Sequence, residues 1–278
     1  MRAAQGRQGT TQTVHTRTVS IHSYRGGTGK SNITANIAAG LARRGKRVCI
    51  VDTDIQSPGI HALFNVDPRN LRYTLNDYLW GRCKVEEAAV DVTDAINEEA
   101  EIGGRPPVSG SVYLIPSSLR AGEIARIIRE GYDVNALNDG FRDICGALEL
   151  DYLLIDTHPG VNEETLLSIA ISDCLFIVLR PDVQDYQGTA VALELARRLE
   201  VPQLFLVVNK AISSLDFTEV ANRVFATYKS PVAAVLPLSE DLILLGSDGI
   251  VCERHSQSAF SKGVERIVDR IEEMEAVR

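Results

Sequence analysis

The run Ser23-Tyr24-Arg25-Gly26-Gly27-Thr28-Gly29-Lys30-Ser31-Asn32 constrains this chain more than any other part of it. Ahead of it, Thr18 to His22 reads as a strand. Behind it, Ile33, Ile37, Ala38 and Leu41 recur at helical spacing in a segment that a glycine closes. Strand, glycine-rich turn, Lys-Ser and helix in that order make a phosphate-binding loop. Glycines let consecutive backbone N–H groups turn inward as an anion nest, and the new helix points its positive end at the same place. Lys30 would then reach the β- and γ-phosphates of a nucleotide, and the Ser31 hydroxyl would hold Mg²⁺. The strict pattern has glycine at position 24, where this chain has Tyr24. A bare Gly-Lys-Ser also occurs in ordinary turns; the crowding of Gly26, Gly27 and Gly29 into one turn is what favours phosphate.

A chain of 278 residues with no internal shift in composition suits one large α/β domain. Its first 17 residues are polar, carry Arg2, Arg7 and Arg17 without an acidic residue, and are expected to be a disordered tail, leaving 18–278 for the domain. No apolar run is long enough to span a bilayer and the N-terminus lacks a signal-peptide core, so a cytoplasmic location is expected. A net charge of −8 argues against strong DNA binding, which relies on clustered Lys and Arg. The five cysteines are scattered with no C-x-x-C pair, the pattern of buried free thiols rather than of disulfides, a zinc site or an iron–sulfur scaffold.

After the first helix, Gly45 closes a turn and Arg47 to Val51 forms a strand ending in Asp52-Thr53-Asp54. Carboxylates at the C-terminal end of a buried strand sit where open α/β sheets bind ligands, although paired aspartates also form turns and caps. A short helix is expected around Thr74 to Trp80, and an exposed loop over Ile96 to Gly110, which holds Gly103, Gly104, Pro106 and Pro107. Val112 to Ile115 reads as a strand, followed by helices near Ala121 to Arg129 and Asn135 to Leu148. Strand and helix then alternate to the end. Strands are expected at Cys174 to Leu179, Leu204 to Val208 and Val232 to Leu236, and helices at Leu166 to Ile171, Thr189 to Leu199, Phe217 to Tyr228, Glu240 to Leu245 and Ser261 to Ala276. That alternation implies a mostly parallel sheet with helices on both faces.

Between these lies Leu153-Leu154-Ile155-Asp156-Thr157-His158-Pro159-Gly160, an apolar strand ending in Asp with Gly four residues on. Its carboxylate can hold the Mg²⁺ water shell, and the Gly160 N–H can sense a γ-phosphate. Asn209-Lys210-Ala211-Ile212 has Ile212 where a guanine-reading site needs Asp. An Asn there can still bond an adenine edge, so ATP is expected over GTP; a strand-terminating Asn is the plain alternative. His158 could act as acid or base, or be a hydrogen-bonded structural residue. The C-terminal helix places Val264, Ile267, Val268 and Ile271 on one face and mixed charge on the other, which suits packing against the core or a second subunit and not membrane insertion.

In order along the chain, Arg25-Gly26-Gly27-Thr28-Gly29-Lys30-Ser31, Val51-Asp52-Thr53-Asp54, Leu153 to Gly160 and Val235-Leu236-Pro237 resemble the deviant-Walker-A ATPases of the MinD/ParA family. The resemblance covers nearly everything after residue 17, and the ordered set is far more specific than any one member. It implies a single P-loop NTPase domain that binds ATP and Mg²⁺ and closes as a homodimer with nucleotide sandwiched between two subunits. Hydrolysis, slow and stimulated by a partner, would release them. On that basis Lys30 and the loop residues Gly26 to Asn32 bind phosphate, and Ser31 and Asp156 serve the metal. Asp54 positions the attacking water and touches the metal's water shell, Gly160 belongs to the second switch loop, and Asn209 and Pro237 contact the base. The family's signature lysine is here Arg25, which keeps the charge with a different reach and fork and is expected to act on the partner's γ-phosphate.

The expected function is thus an ATP-driven switch that positions or partitions a cellular cargo through an unidentified activator or adaptor, in a bacterial-type cytoplasm with nucleotide-dependent recruitment to a surface. The alternatives are a nucleotide-binding localisation or scaffold protein without turnover and, further off, an ATP-dependent biosynthetic ligase. The ligase needs a second substrate pocket for which no motif is present. A tyrosine kinase of the superfamily is disfavoured by the lack of any tyrosine after Tyr228, and a metal-cluster carrier by the cysteine spacing.

Overall fold

The apolar runs become strands because both faces of each are covered. In the computed structural model, which describes residues 16–246 and 248–274, every residue of Tyr152–Asp156 and of Cys174–Leu179 is buried. The first half of the chain forms β1 (Arg17–His22), α1 (Lys30–Arg43), β2 (Arg47–Asp52), α2 (Leu75–Leu79), β3 (Val90–Asp91), α3 (Thr93–Ile102), β4 (Ser111–Ile115), α4 (Ala121–Glu130) and α5 (Val134–Ala147). The second half forms β5 (Tyr152–Asp156), α6 (Glu163–Ala170), β6 (Cys174–Leu179), α7 (Val183–Arg198), β7 (Gln203–Ala211), α8 (Phe217–Tyr228), β8 (Val232–Pro237), α9 (Glu240–Leu245), α10 (Val251–Arg254) and α11 (Ala259–Glu273).

Among the described residues the strands make one eight-stranded sheet in the order β3-β4-β2-β5-β1-β6-β7-β8. Only the β3–β4 edge pair is antiparallel. The single, mostly parallel α/β domain expected from the sequence is the one observed. Strand order brings distant carboxylates together. β5, far from its neighbours in sequence, lies between β2 and β1, with Asp52 paired to Asp156 and Ile21 paired to Asp156. Because these strands run the same way, their C-terminal ends share one edge, where open α/β sheets gather ligand-binding residues.

α11 covers one face as its apolar stripe predicts. Val264, Ile267, Val268 and Ile271 are at most 1% exposed, each contributing about 1.5–3 kcal/mol of burial. A side chain on Gly40 of α1 would meet Val268 Cγ2 at 2.9 Å, so glycine is what lets the two helices approach. Arg44, which caps the C-terminal end of α1, fastens the outside of the contact, reaching Asp269 and Glu272 at 2.5 Å each.

Three expectations need correction. The segment 96–110 is not an open loop, because α3 runs to Ile102. Of its apolar residues only Ile96 and Ala100 are fully buried, in an acid-rich stretch where Ile102 is exposed. The rest of its anchoring is tertiary: Arg254 of α10 pairs with the buried Glu99 at 2.6 Å, and a Cβ on Gly103 would fall 2.1 Å from Glu253 O. α7 starts at Val183 rather than Thr189, since the Asp182 side chain accepts from Asp185 N at 2.9 Å and caps a first turn with no apolar pattern. The tail expected over 1–17 falls mostly outside the described residues, but Thr16 donates to Leu150 O at 2.8 Å and Arg17 begins β1.

Candidate nucleotide site

α1 begins without a side-chain cap. Gly29, in the left-handed region at φ 93°, occupies the cap position, and no acidic residue lies in the first turn. α5, α6, α7, α8, α9 and α11 each have a capping Asp, Asn or Ser whose side chain accepts from their first turn. The leading N–H groups of α1 are therefore left for an external anion, the arrangement that the glycine-rich loop predicts. Gly27, at φ 75°, faces open space where a Cβ would meet nothing within 4 Å. At Gly29 a Cβ would fall 2.5 Å from Asn209 Nδ2.

That close approach shows what Asn209 does. Its amide donates to Thr28 O at 2.8 Å, its Oδ1 accepts from Lys210 N at 2.9 Å, and Lys210 Nζ donates to Gly27 O at 2.8 Å. The end of β7 thus pins the loop backbone from below. Lys210 itself adopts φ 58°, a costly value for a residue with a side chain. Neither of these latch contacts was expected; the Asn-Lys pair at a strand end was the available signal. Pro237 pairs with Ala211, so it shares the same edge of the sheet.

Burial raises the pKa of both Asp54 and Asp156, and Lys30, 7% exposed, offsets part of each rise. Burial dominates at Asp156, pushing it up to about 6, with Lys30 and the Ser31 hydroxyl offsetting part of the rise. Asp52 and Asp54 divide their roles. Asp52 is fully buried and accepts from Asp54 N at 3.0 Å, so it builds the turn; burial and its carboxylate neighbours hold it well above the usual range. Asp54 is half-buried beside His158, and burial raises its pKa with His158 and Lys30 offsetting part of the rise. The loops after β2 and β5 are tied to their neighbours: Thr53 N donates to Asp156 O at 3.0 Å and Gly160 N to Ser23 O at 3.2 Å. Beneath them, His22 is fully buried, with burial as the main cause taking its pKa down to about 3. The Thr157 hydroxyl donates to Ile21 O at 3.1 Å, so the neutral ring donates from Nδ1 to Thr157 Oγ1 at 2.9 Å.

Thr28 Oγ1, Asn32 Oδ1, Asp52 Oδ2 and Asp156 Oδ1 are buried polar atoms without partners. Such atoms are costly unless something completes them, and around a phosphate loop they suit Mg²⁺ with its water shell. Among the described residues no group of three His, Cys, Asp or Glu side chains is arranged to hold a metal. Mg²⁺ takes few protein ligands and relies on phosphates and water, so Ser31, Asp156 and Asp54 are a sufficient set.

Tyr24 and Arg25 lean the other way, against α7. The Tyr24 ring rests on Gly188, where an added Cβ would lie 2.2 Å from Cδ1 and 2.8 Å from Tyr24 Cβ. Gly188→Ala is therefore expected to lever the loop off α7, costing about 1–3 kcal/mol in urea unfolding and weakening nucleotide binding. A wild-type unfolding midpoint would refute this. Arg25 donates to Gln184 Oε1, and its Nε lies 4.0 Å from Asp185 Oδ1. Asp185 already receives Arg180 through its backbone at 2.9 Å and its Nε at 3.0 Å, so Arg25 is only its second partner. A separate cleft of about 240 Å³ lies around the C-terminal end of α1. Its Arg43 and Arg105 both bind the buried Glu253 and its Arg44 binds α11, which leaves those cations occupied.

The ParA profile, described as NUBPL iron-transfer P-loop NTPase, matches residues 14–272. An uncharacterized ATP-binding protein of Methanocaldococcus jannaschii is 29% identical over 220 residues, covering 79% of this chain and 73% of that protein. The septum site-determining protein MinD of Thermotoga maritima is 24% identical over 267 residues, 90% of this chain and 86% of its own. The solved Mg-ADP complex of MinD from Pyrococcus horikoshii has the same fold, with a TM-score of 0.75, 20% identity, and coverage of 93% and 97%. Loop, carboxylates and sheet order thus agree with a match along almost the whole chain, which belongs to the ParA/MinD family of P-loop NTPases.

Proposed function

We propose that this protein is an ATP-hydrolysing switch that closes as a homodimer on ATP and positions a cellular cargo through a protein adaptor at a surface within the cytoplasm. The observation that carries the reading is the meeting of Lys30, Asp54 and Asp156 beside the uncapped start of α1. Gly26 to Asn32 cradle the phosphates, with Lys30 on the β- and γ-groups. Mg²⁺, held by Ser31 and by Asp156 and Asp54 directly or through water, would neutralise phosphate charge and fix its orientation. Asp54 orients the attacking water, and Gly160 senses the γ-phosphate by exchanging the bond its N–H now gives to Ser23 O for one to phosphate. Asn209 has one amide hydrogen left beyond its loop contact, and with Pro237 it lies against adenine.

Arg25 is the group offered to the second subunit. Its side chain is 41% exposed, its hydrogen bond to Gln184 is solvent-exposed, and its ion pair at 4.0 Å with an aspartate already held by Arg180 is worth about 0–1 kcal/mol, so releasing it costs little. Across a dimer it would meet phosphate as an arginine finger does. A relative named for septum-site determination supports the positioning role, and no helix among the described residues is long and apolar enough to cross a membrane.

Light scattering and phosphate release test the division of labour. Wild type is expected to dimerise with ATP and not with ADP. Asp54→Ala should keep the dimer while losing about 10²-fold or more of turnover, and Arg25→Ala should lose turnover by a similar factor. Arg25→Ala with wild-type turnover and dimerisation would sink the cross-subunit role.

A further inference from the structure

His158 occupies a place the switch reading leaves without a task. It follows Asp156 and Thr157 on the loop after β5, where its carbonyl accepts from Thr165 Oγ1 at 3.3 Å and the preceding Thr157 N donates to Ile21 O at 3.2 Å. The backbone is therefore held while the ring projects across to the loop after β2. Its Nε2 lies 3.7 Å from Asp54 Oδ1, with side-chain exposures of 24% and 16%. Its Nδ1 is buried with no partner, so among the described residues nothing else fixes the ring by hydrogen bonding.

Asp54 is as loosely held. Apart from His158, its Oδ1 receives only Ser57 N among the described residues, at 3.3 Å. Lys30 is the other cation acting on it and attracts the carboxylate toward the phosphate loop, while the Asp52 and Asp156 carboxylates repel it. A group meant to aim a water needs its plane fixed, because misplacement by about 1 Å can cost about 10²-fold in rate. Hydrogen bonds at such sites are often long until the reacting complex forms.

We propose that His158 is a positioning residue for Asp54: its Nε2–H closes to hydrogen-bond distance on Oδ1, leaving Oδ2 to orient the attacking water. The same contact straps the loop after β2 to the loop after β5, so that the two nucleotide-sensing loops settle together. This rests on the water-orienting role proposed for Asp54.

A double-mutant cycle on the full chain tests it, with His158→Ala, His158→Gln, Asp54→Asn and the combination of His158→Ala with Asp54→Asn. Two readouts are needed, ATP turnover and the preference for ADP–aluminium fluoride over ADP, the fluoride complex mimicking the transferring phosphoryl group. His158→Ala is expected to lower kcat about 10- to 100-fold and reduce the fluoride preference in parallel, with KM and ATP-dependent dimerisation unchanged. His158→Gln, whose amide can donate from a similar place, should recover most of both. In the Asp54→Asn background, His158→Ala should cost nothing further in fluoride preference. Three results overturn the inference: Gln no better than Ala, a full additional loss in the Asp54→Asn background, or a loss confined to KM. A wild type that turns over while His158→Ala equals it sinks this inference alone. A wild type with neither turnover nor fluoride preference sinks the switch reading with it.

Discussion

Lys30→Ala is expected to lower the affinity for Mg²⁺–ATP by about two to three orders of magnitude, with calorimetric titration as the measurement. Two separate losses combine. The first is the charge-assisted contact between the ammonium and the phosphates, which is stronger in a buried site than in water; Lys30 is 7% exposed. The second is electrostatic support for the site itself. Burial raises the pKa of both Asp54 and Asp156 and Lys30 offsets part of each rise, so removing it leaves a fully buried and a half-buried carboxylate acting on each other. Thermal unfolding gives an independent check. Ligand at about a hundred times its Kd stabilises a fold by about 2.7 kcal/mol, and the variant should lose that shift at the same concentration. A wild-type shift in Lys30→Ala would mean that nucleotide binds elsewhere.

Asp156→Asn is expected to act in opposite directions with and without nucleotide. In the free protein burial pushes the Asp156 carboxyl up to about 6, from an ordinary 3.8. A raised folded value means the charged form is the strained one. The associated stability is fully present below about pH 4, is lost as the pH rises through about 6, and stays lost at pH 8. Asparagine keeps the shape without the charge, so the variant should match wild type near pH 4 and exceed it by roughly 2–3 kcal/mol at pH 8. With Mg²⁺ and ATP present the order should reverse, since the carboxylate whose Oδ1 lacks a partner would then have a cation to bind. Chemical denaturation at several pH values, with and without Mg²⁺–ATP, measures both halves. A pH-independent difference would show that Asp156 does not titrate in this window.

Much of the site was legible because it is written in local runs. Gly26 to Ser31 carries its loop geometry in adjacent residues, Asp52 and Asp156 each end an apolar strand, and Asp54 follows two residues after the first. Helix boundaries were legible where an apolar stripe reached them, as in α8, and not where a cap or an ion pair set them. α7 begins on the Asp182 cap, and α3 is held by Glu99–Arg254 between positions more than a hundred residues apart. No period of three or two can reveal such contacts.

The sequence by itself determined that a glycine-rich loop joins a strand to a helix, that strands and helices alternate into a parallel sheet, and which carboxylates end the strands. Those properties follow from backbone freedom at glycine and from apolar spacing, both local. Only the tertiary structure decided that β5 lies between β2 and β1, bringing Asp156 beside Lys30 and within reach of Asp54's loop. It also decided that Asp52 builds the turn while Asp54 lies beside His158, that Asn209 and Lys210 pin the loop, and that Arg25 rests on α7. The physical reason is the same in each case. Strand order, burial and contacts across the sheet edge depend on residues far apart in the chain, and the charge and partners of a side chain are set by what those residues place around it.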